Sequence, residues 1–513
     1  MIYDEKLFEI YDDKKSLKEI QKIQNIDEIK FLKSFAKYKN LDFIDLDSEN
    51  INLNLMQKLP MSLLNDKNFI LFKDDEKHYH IATAYTVPFS FLDRIGQCLK
   101  EKILKIHIAH PSQISFLIDE YLLKDKIQNL CFELKEELKN KSHKEQSAVS
   151  KLFELILNEA VRLKASDIHF EINSSEGLVR FRIDGLLTVF LKFEYEIYNA
   201  LIFYIKLLAN LNVAEQRKAQ DSSFSMKIRA CEYDFRFSSL PILYGETVVL
   251  RILERKETVL NLDELNFNKI NLEKYKKSIA LPHGLILLTG PTGSGKSTSL
   301  YASLNEIKDE NKKIISAEDP IEYRLDMVQQ IVLNEKIGLS FNNALRAILR
   351  QDPDVIMIGE IRDEQSLDIA LKASLTGHLV FSTLHTNDAI SAITRMIDMK
   401  APPYLLSSAL KVVIAQRLIR KLCKHCKIKN EDDEFYKASS CKRCNYTGYA
   451  GRELVSEFLF IDDEISELIR LNASKDEILK QARKNNFETM FENALKKASL
   501  GISSLDEIHR VLG

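Results

Sequence analysis

Gly284-Leu-Ile-Leu-Leu-Thr289, running into Gly290-Pro-Thr-Gly-Ser-Gly-Lys-Ser297, decides the fold of this chain. The first six residues form an apolar run opened by a glycine, as a strand buried on both faces of a parallel sheet requires. The next eight read GxxxxGKS, and Thr298-Ser-Leu-Tyr-Ala-Ser-Leu304 has helical composition. Strand, glycine-rich loop and helix in that order make a phosphate-binding loop. Glycine is needed because backbone N–H groups must wrap a β-phosphate closely, in conformations that a Cβ would obstruct. Lys296 supplies a point charge to the β- and γ-phosphates, and Ser297 a hydroxyl to Mg²⁺. The helix N-terminus adds a partial positive charge. The expected ATP-binding set is Gly290, Pro291, Thr292, Gly293, Ser294, Gly295, Lys296, Ser297 and Thr298.

The loop stands out against a glycine-poor background. The chain has 513 residues with 15 glycines and 10 prolines, where average usage would give roughly 36 and 26. Four of the fifteen lie between Gly284 and Gly295. Collagen-like and glycine-rich low-complexity classes are excluded. The length suggests about three or four domains. Net charge is 73 − 75 = −2, so no global field draws the chain to nucleic acid or an anionic membrane. No apolar run approaches the roughly 18 residues of a membrane span. The opening MIYDEKLFEIYDDKK lacks the basic and apolar regions of a signal peptide, and the expected compartment is cytoplasmic.

A triphosphate site needs acidic partners. Asp354-Val-Ile-Met-Ile-Gly-Glu360 is a short apolar strand ending in a carboxylate, with Gly359 where an aspartate is usual. Glu360 is expected to reach the metal through water or to position the attacking water. Glu318, Asp319 and Glu322 follow the apolar strand at Ile314, at the strand end where ligands bind in parallel sheets. Thr376-Gly-His378-Leu-Val-Phe-Ser-Thr-Leu-His385 brackets another strand with two histidines suited to sensing a γ-phosphate.

Cys423-Lys-His-Cys426 and Cys441-Lys-Arg-Cys444 are separated by 441 − 426 − 1 = 14 residues, one below the usual spacing of about 15–20. Two such knuckles supply four thiolates for a closed, structural Zn²⁺ site. His425 is expected to face solvent, and Cys98, Cys131 and Cys231 to be ordinary buried thiols.

The preceding regions carry weaker signals. Residues 1–125 alternate short helical and strand-like pieces, an α/β adaptor domain. Residues 126–150 are charged and read as a linker helix followed by a polar hinge. Residues 151–265 read as an α/β domain. In its strands Arg180 and Arg182 lie opposite Val179, Phe181 and Ile183, and Arg236 and Arg251 likewise face away from apolar neighbours. Such arginines suit either a solvated outer face or a polyanion. Asp184-Gly185 is a tight turn. A core is expected over 266–400, and a helical C-terminal region over 401–513 with its zinc segment at about 418–457.

GPTGSGKSTSLYA at 290–302, AEDPIEY at 317–323, LRQDPDVIMIGEIRD at 349–363 and TGHLVFSTLHTNDA at 376–389 together resemble the secretion ATPases of type II secretion and type IV pilus assembly (GspE/PilB type). ASDIHFE at 165–171, VRFRIDG at 179–185, Gln220-Asp221 and LPILYGETVVLRIL at 240–253 look like that family's arginine-bearing domain. QRLIRKLCKHC at 416–426 and CKRCNYTGYAGRELVSE at 441–457 look like its zinc segment, and LDFIDLDSENINLNLMQKLP at 41–60 resembles its adaptor domain. The resemblance implies a multidomain α/β protein: a RecA-like P-loop NTPase core, a preceding PAS-like α/β domain and an N-terminal α/β adaptor. It gives Glu318, Asp319 and Glu322 the place of the aspartate box, Glu360 that of the Walker B glutamate, and His378 and His385 that of the histidine box. Gly359 fits the family. Arg180, Arg182, Arg217, Arg236 and Arg251 fall in the domain whose arginines reach the triphosphate. Catalysis is expected from Glu318, Glu360 and Lys296, with ATP, Mg²⁺ and Zn²⁺ as ligands. A homo-hexamer acting on an inner-membrane platform protein is implied, peripheral to the membrane. The tetracysteine and adaptor domain favour assembly or secretion over retraction. A scaffold with negligible turnover and a nucleic-acid translocase are the alternatives, and no direct nucleic-acid contact is expected because an aromatic-basic stripe is missing.

Overall fold

The computed structural model describes every residue except 1–2, 14–15, 25, 65–67, 141–146, 255–259, 335–336 and 431–433. The chain divides into two compact units, one built mainly from residues 1–159 and the other holding most of 160–513.

In the first unit a four-stranded sheet runs in the order Asp42–Phe43, Ile103–Ile108, His78–Thr83, Phe69–Asp74. Helices Glu5–Asp12, Leu17–Ile23 and Glu28–Tyr38 close a separate apolar cluster around Phe8, Tyr11, Phe31 and Phe35. The charged stretch expected as a linker begins inside a longer helix, Pro111–Asn140. Its buried residues Ile127, Leu130 and Leu134 recur at helical spacing among the charges, so that face packs rather than hangs free. The start of the expected hinge, 141–146, lies outside the described residues.

The second unit holds two large sheets and a small antiparallel pair, Ile428–Lys429 with Tyr436–Lys437. The first has six strands, ordered Leu186–Phe193, Gly177–Ile183, Asp167–Ile172, Gly245–Glu254, Cys231–Ile242, Gln220–Ile228. Pairing is antiparallel from Gly177–Ile183 to Gln220–Ile228. Asp184 and Gly185, both with positive φ, make the turn into Leu186. Ile168, Phe170, Val179, Phe181, Phe235, Phe237, Val248 and Leu250 are buried, and the arginines alternate with them.

The second sheet has seven strands, ordered Val328–Val332, Ile314–Glu318, Val355–Ile358, Leu379–Leu384, Gly284–Thr289, Leu410–Leu422, Tyr449–Phe460. All neighbours are parallel except the last pair. Leu285 and Leu287 enter one apolar cluster while Ile286 and Leu288 enter another, so the phosphate-loop strand is buried on both faces. Each such side chain contributes about 1.5–3 kcal/mol relative to exposure. The region from 401 is thus not helical throughout: after the helix Pro403–Ala409 two long strands complete the core sheet, and further helices run from Asp463. Their polar residues Gln416, Arg420, Glu453 and Glu457 are buried, which masks a strand reading.

Candidate nucleotide site

The phosphate-loop strand ends at Thr289, and six loop residues, 290–295, separate it from the helix Lys296–Ile307. Gly290 must stay glycine. It sits at φ +142°, and a Cβ there would lie 2.4 Å from the carbonyl oxygen of Gln416. Gln416 is itself buried, and its side-chain amide donates to Ser299 Oγ at 2.9 Å, pinning the helix to the neighbouring strand. Lys296 Nζ donates to the carbonyl oxygens of Gly290 at 2.7 Å and Pro291 at 3.1 Å. Burial lowers its pKa to about 8, against the opposing pull of Glu360 and Glu322. Ser294 Oγ is buried without a hydrogen-bond partner.

A cavity of about 610 Å³ opens over this loop. Thr292 to Thr298 line it, and Glu318, Asp319, Glu322, Glu360, His385 and Arg251 join them. Gly359 closes its floor: its N–H donates to the Ala317 carbonyl at 2.9 Å, and a Cβ would crowd that oxygen at 3.2 Å. An aspartate at this position would therefore meet the neighbouring strand, and the carboxylate is carried one residue later by Glu360.

The two expected catalytic carboxylates differ. Glu318 is buried and its oxygens are occupied. Oε2 accepts from the Tyr301 hydroxyl, and Oε1 accepts from Ser316 Oγ at 2.6 Å and Gln330 Nε2 at 3.0 Å. Burial and this contact push the Tyr301 phenol well above its ordinary range, keeping it a donor. Glu360 is nearer solvent. Oε2 pairs with His385 Nε2 at 3.1 Å, and Oε1 accepts from Arg362 Nε. Burial opposes its ionisation, but Arg362 and then His385 outweigh this and hold the carboxyl below its usual range. Arg362 also lies 3.6 Å from Asp319 and over the Phe341 ring.

The structure does not bring every expected residue to the cavity. His378 Nδ1 contacts the Ala373 carbonyl at 3.0 Å, at the end of the helix Glu364–Leu375, and does not line it. Gly290 and Pro291 shape the loop through their carbonyls. Of the expected Arg180, Arg182, Arg217, Arg236 and Arg251, only Arg251 lines it. Arg180 pairs with Glu171 at 2.5 Å, Arg182 lies 3.6 Å from Asp167, and Arg217 is almost fully exposed. Arg236 shares the sheet face without reaching the cavity. Sequence reasoning missed Tyr301, Arg362 and Arg452, which also line it. Tyr301 was signalled by its place one helical turn after Ser297. Arg362 and Arg452 had no signal beyond charge.

The four knuckle sulfurs, of Cys423, Cys426, Cys441 and Cys444, all lie within 4.8 Å of one another. Cys441 and Cys444 sulfurs are 3.7 Å apart, close to the edge of about 3.8 Å that a tetrahedron with Zn–S near 2.3 Å would have. The set fits a zinc ion. His425 is exposed. The expectation of three other buried thiols is corrected: Cys98 and Cys231 are exposed and Cys131 half-buried. Cys98 ends a short helix and Cys231 opens a hairpin strand, positions at element ends where burial falls off.

Residues 142–510 match the family model described as Type II/IV secretion system protein. The chain belongs to that family. Its phosphate loop and acidic partners are complete, and it is an ATPase of the family. Residues 40–127 match the MshEN domain. The type II secretion system ATPase E of Vibrio cholerae is 42% identical over 382 residues, covering 72% of this chain and 76% of that protein. The type IV pilus assembly ATPase PilB of Thermus thermophilus is 38% identical over 443 residues, 81% of this chain and 50% of that one. Among solved structures, the pilus retraction motor PilT with bound ADP aligns over 70% of this chain and 96% of its own, with 30% identity and a TM-score of 0.50. DotB of Legionella pneumophila, at 23% identity and a TM-score of 0.54 over 70% of this chain and 94% of its own, shares the fold.

Proposed function

We propose that this chain is the Mg²⁺-dependent, ATP-hydrolysing motor of a type II secretion, type IV pilus assembly or DNA-uptake machine. The observation that carries the reading is the single cavity that gathers Lys296, Glu318, Glu360, His385 and Arg251 over the phosphate loop. Lys296 leaves the Gly290 and Pro291 carbonyls to meet the β- and γ-phosphates. Glu360, kept ionised and oriented by Arg362 and His385, accepts a proton from the water that attacks the γ-phosphorus. Glu318, with three donors already on it, holds Tyr301 and the loop in place rather than taking that proton. Ser297 and the nearby carboxylates are hard oxygen donors suited to Mg²⁺, which when bound supplies neutralisation of phosphate charge. Arg251 adds positive charge from the neighbouring sheet.

The working form is a homo-hexamer at the cytoplasmic side of the inner membrane, docked on a platform protein. Among the described residues no helix is long and apolar enough to cross a membrane, which supports attachment through partners. The tetracysteine and the adaptor unit support assembly or secretion over retraction. Steady-state phosphate release by the purified protein tests the function: Lys296→Ala should lower it by at least about 10³-fold, and a parental rate in that variant would remove the site assignment. The four cysteines are proposed to hold one zinc ion per chain. Elemental analysis of Cys441→Ser should show that zinc lost, and an unchanged content would refute the ligand set.

A further inference from the structure

Asp167 does not line the nucleotide cavity, yet it is the carboxylate that stands between Arg182 and Arg251 on the arginine-bearing face. In the antiparallel register Asp167 stands opposite Arg182 on one side and Arg251 on the other, and Arg251 in turn stands opposite Arg236. The row therefore reads Arg182, Asp167, Arg251, Arg236 across four strands. Like charges directly opposite each other repel, and one carboxylate sits among three guanidinium groups. Its side chain is only 8% exposed, whereas that of Arg251 is 53% exposed. Oδ1 accepts from Arg251 Nε at 2.9 Å. Oδ2 accepts from Ser166 Oγ at 2.8 Å and lies 3.6 Å from Arg182 Nε.

This geometry divides the Arg251 guanidinium into two ends. One of its five N–H donors is committed to a buried, doubly held carboxylate. The remaining donors stay available on a group that lines the nucleotide cavity. A free arginine on a strand would sample many rotamers, and ordering it costs free energy when substrate arrives. We propose that Asp167 is a positioning residue for ATP hydrolysis: it fixes the plane of Arg251 so that its outer N–H groups meet the triphosphate already ordered. The proposal rests on the reading of Arg251 as a phosphate-binding residue. A lysine would lose this arrangement, because its ammonium is a point charge on a flexible stem without the planar fork that the carboxylate fixes.

The test uses the full-length protein as Arg251→Ala, Asp167→Asn, the double variant and Arg182→Ala. Turnover is measured per bound nucleotide, so that unfolded protein does not count, together with KM and the thermal midpoint. Arg251→Ala should lower kcat by about tenfold or more. Asp167→Asn should lower kcat by roughly fivefold with KM within about twofold, and the double variant should be no slower than Arg251→Ala alone. Arg182→Ala, which breaks the other pair on the same carboxylate, should keep kcat within about twofold whatever its midpoint. If Asp167→Asn fails to fold, Asp167→Glu keeps the charge, shifts the carboxylate by one methylene and should show the same kcat loss. Parental kcat in Arg251→Ala removes the phosphate-binding reading of Arg251 and the positioning role with it. A slow Arg251→Ala beside a parental Asp167 variant, or losses that multiply in the double variant, leaves that reading standing and overturns the positioning role alone.

Discussion

The two large sheets of the second unit place charged groups in opposite ways. In the seven-stranded core both faces are buried, so function is pushed to the strand ends. There the backbone does much of the binding and each loop has a sequence that its geometry dictates. In the six-stranded sheet one face carries polar side chains that alternate with a buried set, and the phosphate-binding role proposed for Arg251 lies along that face. A charge at a core strand end, such as Glu318 or Glu360, is already inside the cavity. A charge on the open face, such as Arg180 or Arg251, occupies the same kind of position whether it reaches substrate or only a neighbouring carboxylate. The difference is one of reach and pairing, which strand periodicity does not encode.

The largest effect belongs to the core, in the loss expected for Lys296→Ala. A comparably dead variant on the open face would break the contrast. A smaller effect follows from the lowered pKa of Lys296. Below about pH 8 the empty site holds an ammonium. Between that value and its ordinary 10.5 the empty-site lysine is neutral, and binding the triphosphate must restore its charge by taking up a proton. ATP affinity should therefore fall as pH rises, by about fivefold from pH 8 to pH 9. Calorimetry in two buffers of different ionisation enthalpy should show proton uptake at pH 9 and little at pH 7. No uptake at pH 9 would place the lysine at its ordinary pKa. The smallest effect belongs to Arg217, whose side chain is 92% exposed and whose nearest carboxylate, Glu215, lies 3.7 Å away. Arg217→Ala should leave phosphate release within about twofold of parental. Arg217 lies in the loop before the strand Gln220–Ile228, and a large loss there would mean that this loop engages the triphosphate beyond the cavity at Arg251.

Legibility in the sequence followed the same divide. The phosphate loop could be read because only glycines satisfy its backbone, as the 2.4 Å approach at Gly290 shows. The cysteine knuckles could be read because two short CxxC pairs suffice to gather the four sulfurs within 4.8 Å of one another. Glu318 was placed correctly at its strand end, but its three donors come from separate elements, at Tyr301, Ser316 and Gln330. No local pattern reports such a convergence. His378 and His385 look equivalent in sequence, yet one ring binds a helix-end carbonyl and the other faces Glu360. The strands Leu410–Leu422 and Tyr449–Phe460 were hidden by buried charged groups. Arg420 is held there by Glu507 at 2.7 Å and lies over Tyr449, while Glu457 accepts the N–H groups of Ala389 and Met490. These pairings satisfy charges that a sequence pattern reads as surface.

Glu360, oriented by Arg362 and His385, is proposed to drive hydrolysis in a site that binds ATP without it. Glu360→Gln keeps the shape and removes the base. Measured side by side, this variant should bind ATP within about threefold of the parental affinity and release phosphate about 10²–10³-fold more slowly. Phosphate release at the parental rate from Glu360→Gln would contradict the account.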